Sequence, residues 1–198
     1  MSDMTHPLAP VLAVLEPLPT GGPIAAFAAT HRVRVWFGWG PLDTGGWASS
    51  PWDGLLVLPK AFQEPSEMAR LGNVLLVAHE LVHAMQRETR GNRLPFPLYR
   101  EVEAHIAQQV LTWETASLAS HPEATRQQAA EALALLTADL ASGYAYVLAQ
   151  GEGMRPVNYY RTPLFSQRPE GGDPLVSLAE LLRLPDLPVR VGGMAHPA

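Results

Sequence analysis

The sequence predicts an α+β fold, mainly helical, with a small antiparallel or mixed sheet near the N-terminus. Three observations lead there. Proline and glycine, 19 and 16 of 198 residues, concentrate in residues 1–65 and 151–198 and leave a middle block poor in both. That block repeats apolar residues at helical spacing, and the two short apolar runs ahead of it are bounded by turn formers. A chain of this length buries roughly 70% of the surface its unfolded form exposes. We therefore expect a single domain over 1–198, with its core at about 30–150 and a Pro/Gly-rich C-terminal segment at about 151–198.

Pro23 opens a short helix through Thr30, since proline suits a first helical turn. Arg32-Val33-Arg34-Val35-Trp36-Phe37 alternates as a strand does, and residues 38–54, rich in Gly, Pro, Ser and Trp, read as a surface loop or irregular hairpin. Gly54-Leu55-Leu56-Val57-Leu58-Pro59 is a second strand, apolar without alternation and so well buried. Trp36, Trp39, Trp47 and Trp52 crowd this window, where they cover the sheet or line a groove. Ser66 caps a helix running to about Arg90, with Gly91 just past its end. Leu71, Val74, Leu75, Ala78, Leu81, Val82 and Met85 recur along it at helical spacing. Further helices are expected at about 98–119 and 122–150, and a short one from Asp173-Pro174 to about Leu184. The tail, 185–198, reads as loosely ordered.

Composition narrows the chemistry. Cysteine is absent, which excludes disulfides, thiol catalysis and thiolate metal sites and leaves imidazole and carboxylate as the good metal ligands. The net charge is −5, and the 14 basic residues are scattered arginines apart from Lys60, so the basic footprint of a nucleic-acid binder is missing. The N-terminus has no cationic n-region, and Val11–Leu15 is too short for a signal-peptide core or a membrane span. We expect no nucleic acid and no membrane partner, and a cytoplasmic protein.

The chemistry lies in His79-Glu80-Leu81-Val82-His83, an H-E-x-x-H on the first long helix. Positions i and i+4 stack on one helical face, so both imidazoles can reach one metal ion, with Glu80 beside them. At this chain's own frequencies the pattern arises by chance about 0.016 times. Its neighbours, Leu76-Val77-Ala78 and Ala84-Met85, are uncharged. A third histidine six residues after His83 is ruled out by Thr89, and the glycine that such a motif needs is Gln86.

The next helix carries Tyr99-Arg100-Glu101-Val102-Glu103-Ala104-His105. Glu103 shares a side with Tyr99, Ala107 and Val110, whereas Glu101 and His105 share a more polar side with Gln108. A carboxylate next to the apolar stripe needs a compensating cation. Glu103 is therefore preferred as third ligand, with Glu101 the alternative.

With Glu103 twenty residues after His83, the pattern resembles the gluzincin zinc metallopeptidases, whose third ligand is a Glu on a following helix. The Glu101-Val102-Glu103-Ala104 string also resembles the third-ligand helix of intracellular HExxH peptidases that clear phage-type repressors. The match spans about residues 54–110. It implies a minimal zincin-like fold, Zn2+ held by His79, His83 and Glu103, and Glu80 as general base. One departure stands out: thermolysin-like members place an Asp four residues after the ligand Glu, and here that position is Ala107.

The resemblance implies a peptidase, an endopeptidase rather than an exopeptidase, acting on a peptide or protein substrate. Zinc lowers the pKa of a water to about 7. Glu80 takes a proton as the peptide carbonyl is attacked and delivers it to the leaving amine. Tyr159, Tyr160 and Arg161 are the candidates to stabilise the oxyanion, and Tyr99 could wall the metal. Zincins take substrate as an added strand, which would make Leu55–Leu58 the receiving edge, with residues 162–198 able to cover the cleft. The alternative is a zinc-binding regulatory or interaction protein on the same scaffold.

Overall fold

A computed structural model of the chain describes residues 6–31, 33–38, 46–48, 55–91, 96–154, 165–166, 172–185 and 187. The described residues are mainly helical with a little sheet, an α+β composition. They fall into two compact units, Met1–Arg90 and Gly91–Ala198. No helix among them is long and apolar enough to cross a membrane.

The first unit opens with helices α1 (Ala9–Leu15) and α2 (Gly21–Thr30). Strands β1 (Arg34–Gly38), β2 (Gly46–Ala48) and β3 (Leu55–Pro59) follow. A 3₁₀ turn at Lys60–Gln63 leads into α3 (Pro65–Met68) and then α4 (Leu71–Arg90). The expected helix over 66–90 is thus broken at Ala69-Arg70, where Asn73 Nδ2 donates to the Glu67 carbonyl at 2.7 Å. α1 and α2 pack on α4, and β2 lies against it as well.

The sheet is mixed. β1 pairs with β3 in parallel over five residues, Arg34 opposite Leu55 through Gly38 opposite Pro59, while β2 pairs antiparallel to the other side of β3. The order is β1-β3-β2. This corrects one expectation: β3 is the central strand, flanked by β1 on one side and, over Leu55–Val57, by β2 on the other, so Leu55–Leu58 is not the free edge expected for a substrate. The register also sorts its faces. Leu56 and Leu58 are buried and their partners Val35 and Phe37 half-buried on one face, while Arg34 and Trp36 are exposed on the other, Trp36 by 52%.

α4 departs from the one-sided stripe that its spacing predicts. Every residue from Val77 to Gln86 is buried, polar ones included. A helix covered on all sides is a core element rather than a surface one. Gly91 follows its last residue with φ +76°, the left-handed conformation that glycine adopts without penalty past a helix end.

In the second unit, β4 (Phe96–Pro97) leads into α5 (Leu98–Glu114), followed by α6 (Pro122–Ala138) and α7 (Leu140–Met154). Then come β5 (Phe165–Ser166), parallel to β4, and α8 (Pro174–Leu182). α6, α7 and α8 all pack on α5. The expected helix over 122–150 is interrupted at Asp139, whose extended backbone ends α6 and whose Oδ1 accepts from Ser142 N at 2.7 Å to start α7. Gly143 allows α7 to approach closely, because a Cβ there would lie 3.0 Å from the Leu136 carbonyl oxygen and 3.2 Å from Val102 Cγ1.

Candidate metal centre

His79, Glu80 and His83 sit in the buried stretch of α4, each less than a tenth exposed. Burying a polar group without a partner costs roughly 2–7 kcal/mol, whereas a leucine in such a position would contribute about 1.5–3 kcal/mol. Three polar side chains within five residues therefore occupy places where apolar ones would add to stability, which points to chemistry.

One turn of α4 separates the two imidazoles, and their rings meet edge to face with centroids 4.8 Å apart. His79 Nε2 and His83 Nε2 approach to 3.1 Å. Two nitrogens on a single tetrahedral zinc, each at about 2.0–2.1 Å, stand about 3.3 Å apart; the observed 3.1 Å is close to that and is also the length of a direct hydrogen bond between the rings. The other face of His83 is fixed as well. Its Nδ1–H donates to Gln86 Oε1 at 2.8 Å, which selects the tautomer whose Nε2 carries a lone pair. Glu80, the next residue after His79, keeps its carboxylate in the same buried stretch.

Gln86 is the residue that sequence reasoning passed over. It was weighed only as a position where a different motif needs glycine, yet it lies three residues beyond His83 on the same face and is fully buried. It supplies an orienting acceptor that Ala107 cannot.

α5 carries the acidic candidates in the second unit. Glu103 is fully buried and Glu101 nearly so, at 7% exposure, so burial does not separate them as the sequence pattern expects. Glu101 and His105, one turn apart, bring a carboxylate oxygen and a ring nitrogen within 4.8 Å of each other. The His105 ring packs edge-on to Tyr146 of α7, centroids 5.9 Å apart, and Gln109 Nε2 donates to the Tyr146 hydroxyl at 3.4 Å. Burial pushes the Tyr146 phenol above its usual range. Tyr144 is pushed up too, by burial first and then by the neighbouring Tyr99, which places Tyr99 beside α7 within this unit. Arg100 is almost wholly buried and donates through Nη1 to the Gly91 carbonyl at 3.0 Å.

Tyr159, Tyr160 and Arg161, the expected oxyanion partners, lie outside the described residues, as does most of the 162–198 segment expected to cover a cleft. No protein family, curated protein or solved structure matches the chain.

Proposed function

We propose that this chain is a zinc-dependent peptidase with a zincin-like fold. The observation that supports it most is the convergence of His79 Nε2 and His83 Nε2 to 3.1 Å in a buried helix that also holds Glu80. His79 and His83 would hold the ion, together with a carboxylate of α5, Glu103 by the sequence resemblance. Bound zinc supplies Lewis acidity, stabilising negative charge on oxygen and lowering the pKa of a water.

The remaining work belongs to the protein's own groups. Glu80 accepts the proton of the attacking water and returns it to the leaving nitrogen, so the carboxylate ends each cycle as it began. Gln86 acts through His83, holding the ring in one tautomer and one orientation. The oxyanion partner is assigned by sequence to Tyr159, Tyr160 or Arg161.

Glu80→Gln tests this reading directly. The substitution is nearly isosteric and leaves both histidines in place, so the variant should retain zinc by metal analysis while casein cleavage falls by roughly 10²–10⁴-fold, the scale of a lost general base. Equal cleavage by variant and wild type would overturn the role of Glu80. Zinc-loaded wild-type protein that cleaves nothing would favour the regulatory alternative.

A further inference from the structure

Strand β1 ends the sheet of the first unit, with β3 on one side and, among the described residues, no strand on the other. The opposite end of the sheet, β2, lies against α4. A bare strand edge is a template for pairing, and proteins usually blunt it with lysine, proline, a bulge or a covering element. Arg34–Gly38 has neither lysine nor proline, and it pairs with β3 residue for residue, without a bulge. We propose that this edge is the contact between two copies of the chain, which pair β1 to β1 antiparallel about a two-fold axis at Trp36. The sheets of the two copies then continue into one, in the order β2-β3-β1-β1-β3-β2. The contact lies within the first unit and does not depend on the metal site.

The register identifies the occupant. Centred on Trp36, it sets Arg34 opposite Gly38 of the second copy, Val35 opposite Phe37, and Trp36 opposite Trp36. Directly opposite residues share a face of the sheet, with Cβ atoms about 4.5–5.5 Å apart. Val35 and Phe37 lie on the face of the buried Leu56 and Leu58 but are only half-buried themselves. Across the junction each meets the other, an aromatic on a β-branched side chain, which is a favourable cross-strand pair. Arg34 is the one charge of the strand, and the register keeps the two arginines apart. The smallest shift that preserves the faces is two residues, and it shortens the paired stretch from five residues to three.

The outer face adds a second observation. Trp36 is half-exposed, and a Cβ at Gly38 would run into Cζ3 and Cη2 of its ring, so the indole lies along the sheet over Gly38. In this register Gly38 faces Arg34 of the second copy. Each guanidinium is thereby brought to the indole of the other chain, in reach of a cation–π contact, and the two-fold axis makes that contact twice. Glycine at position 38 is what leaves room for the ring.

The chain has no cysteine, so a single introduced thiol reports the register. In the full-length protein, Trp36→Cys puts the two thiols directly opposite, at a Cα separation of about 4.5–5.5 Å that a disulfide accepts, and mild oxidation should give a covalent dimer. Arg34→Cys should not cross-link, because its two copies lie about 14 Å apart along the strands. Sedimentation velocity over a concentration series should show wild type passing from monomer to dimer. Trp36→Glu, which sets two carboxylates opposite each other and removes both indoles, should weaken that dimer by roughly tenfold or more. Far-UV circular dichroism should be unchanged in all three variants, since neither side chain belongs to the core. A chain that stays monomeric throughout, with no cross-link from Trp36→Cys, overturns the proposal and leaves the edge to a peptide of another protein. A dimer that Trp36→Glu leaves intact, or one in which Arg34→Cys links as readily as Trp36→Cys, overturns it too, because the contact then lies on another surface or in another register.

Discussion

Gln86 shows how a single amide can orient a buried imidazole. Its Oε1 accepts from His83 Nδ1 at 2.8 Å, and both residues ride on one helix, so the imidazole is aimed by the backbone that carries it. Gln86→Ala should therefore lower zinc affinity by roughly 10–100-fold with little change in helix content. Gln86→Glu, which keeps an acceptor, should restore most of it. Competition with a zinc chelator measures both, and an unchanged affinity in the alanine variant would remove Gln86 from the site. At this scale the sequence is informative where geometry is local. An i,i+4 pair of histidines around a glutamate reads directly as one face of a helix. Gln86 was equally visible three residues on, but spacing alone does not reveal which rotamer a buried amide adopts. Glu101 and Glu103 were ranked by the polarity of their neighbours along α5. Burial does not separate the two, because both carboxylates are inside once the chain folds.

Helix boundaries behave differently. The predicted helix at 122–150 is two helices, α6 and α7, because Asp139 leaves helical geometry and caps the second with its side chain. An aspartate inside an apolar-periodic stretch looks tolerable in isolation. Its preference for capping wins here because the bond to Ser142 N satisfies an otherwise orphaned donor. The same bond holds the Asp139 carboxyl below its ordinary value of 3.8. A depressed carboxyl stabilises the fold above its unfolded pKa and loses that contribution as pH falls through the lower folded value. Asp139→Ala should accordingly melt below wild type at pH 7, and the gap should narrow as the pH is taken down through the acid range; a gap independent of pH would reject the ionic cap. Four residues on, Gly143 sits inside α7, where glycine ordinarily costs about 0.8–1.0 kcal/mol relative to alanine. Gly143→Ala should nevertheless lower Tm, since the new Cβ meets the Leu136 carbonyl at 3.0 Å and backbone yields little. A higher Tm would mean that propensity outweighs the contact.

Across the whole chain, the class of fold and most of its elements were legible: short helix, two strands, long helix, helical block, late short helix. Local periodicity encodes all of these. Strand order was not, because pairing depends on partners far apart in sequence. The run Leu55–Leu58 reads as buried, but nothing in it says that β1 and β2 flank it on opposite sides. The division at Arg90/Gly91 was likewise visible only as a helix stop.

That central strand also sets an order in time. Arg34 and Leu55 are paired neighbours 21 positions apart in the chain, and closing a loop of that size costs about 2.7 kcal/mol of chain entropy beyond a constant. Parallel rungs return nothing until the whole crossover is closed, whereas each turn of α4 forms from residues four apart. The helix bearing His79 and His83 can thus assemble well ahead of the sheet. Loop closure makes the arrival of β1 alongside β3 the expected late step in forming the first unit.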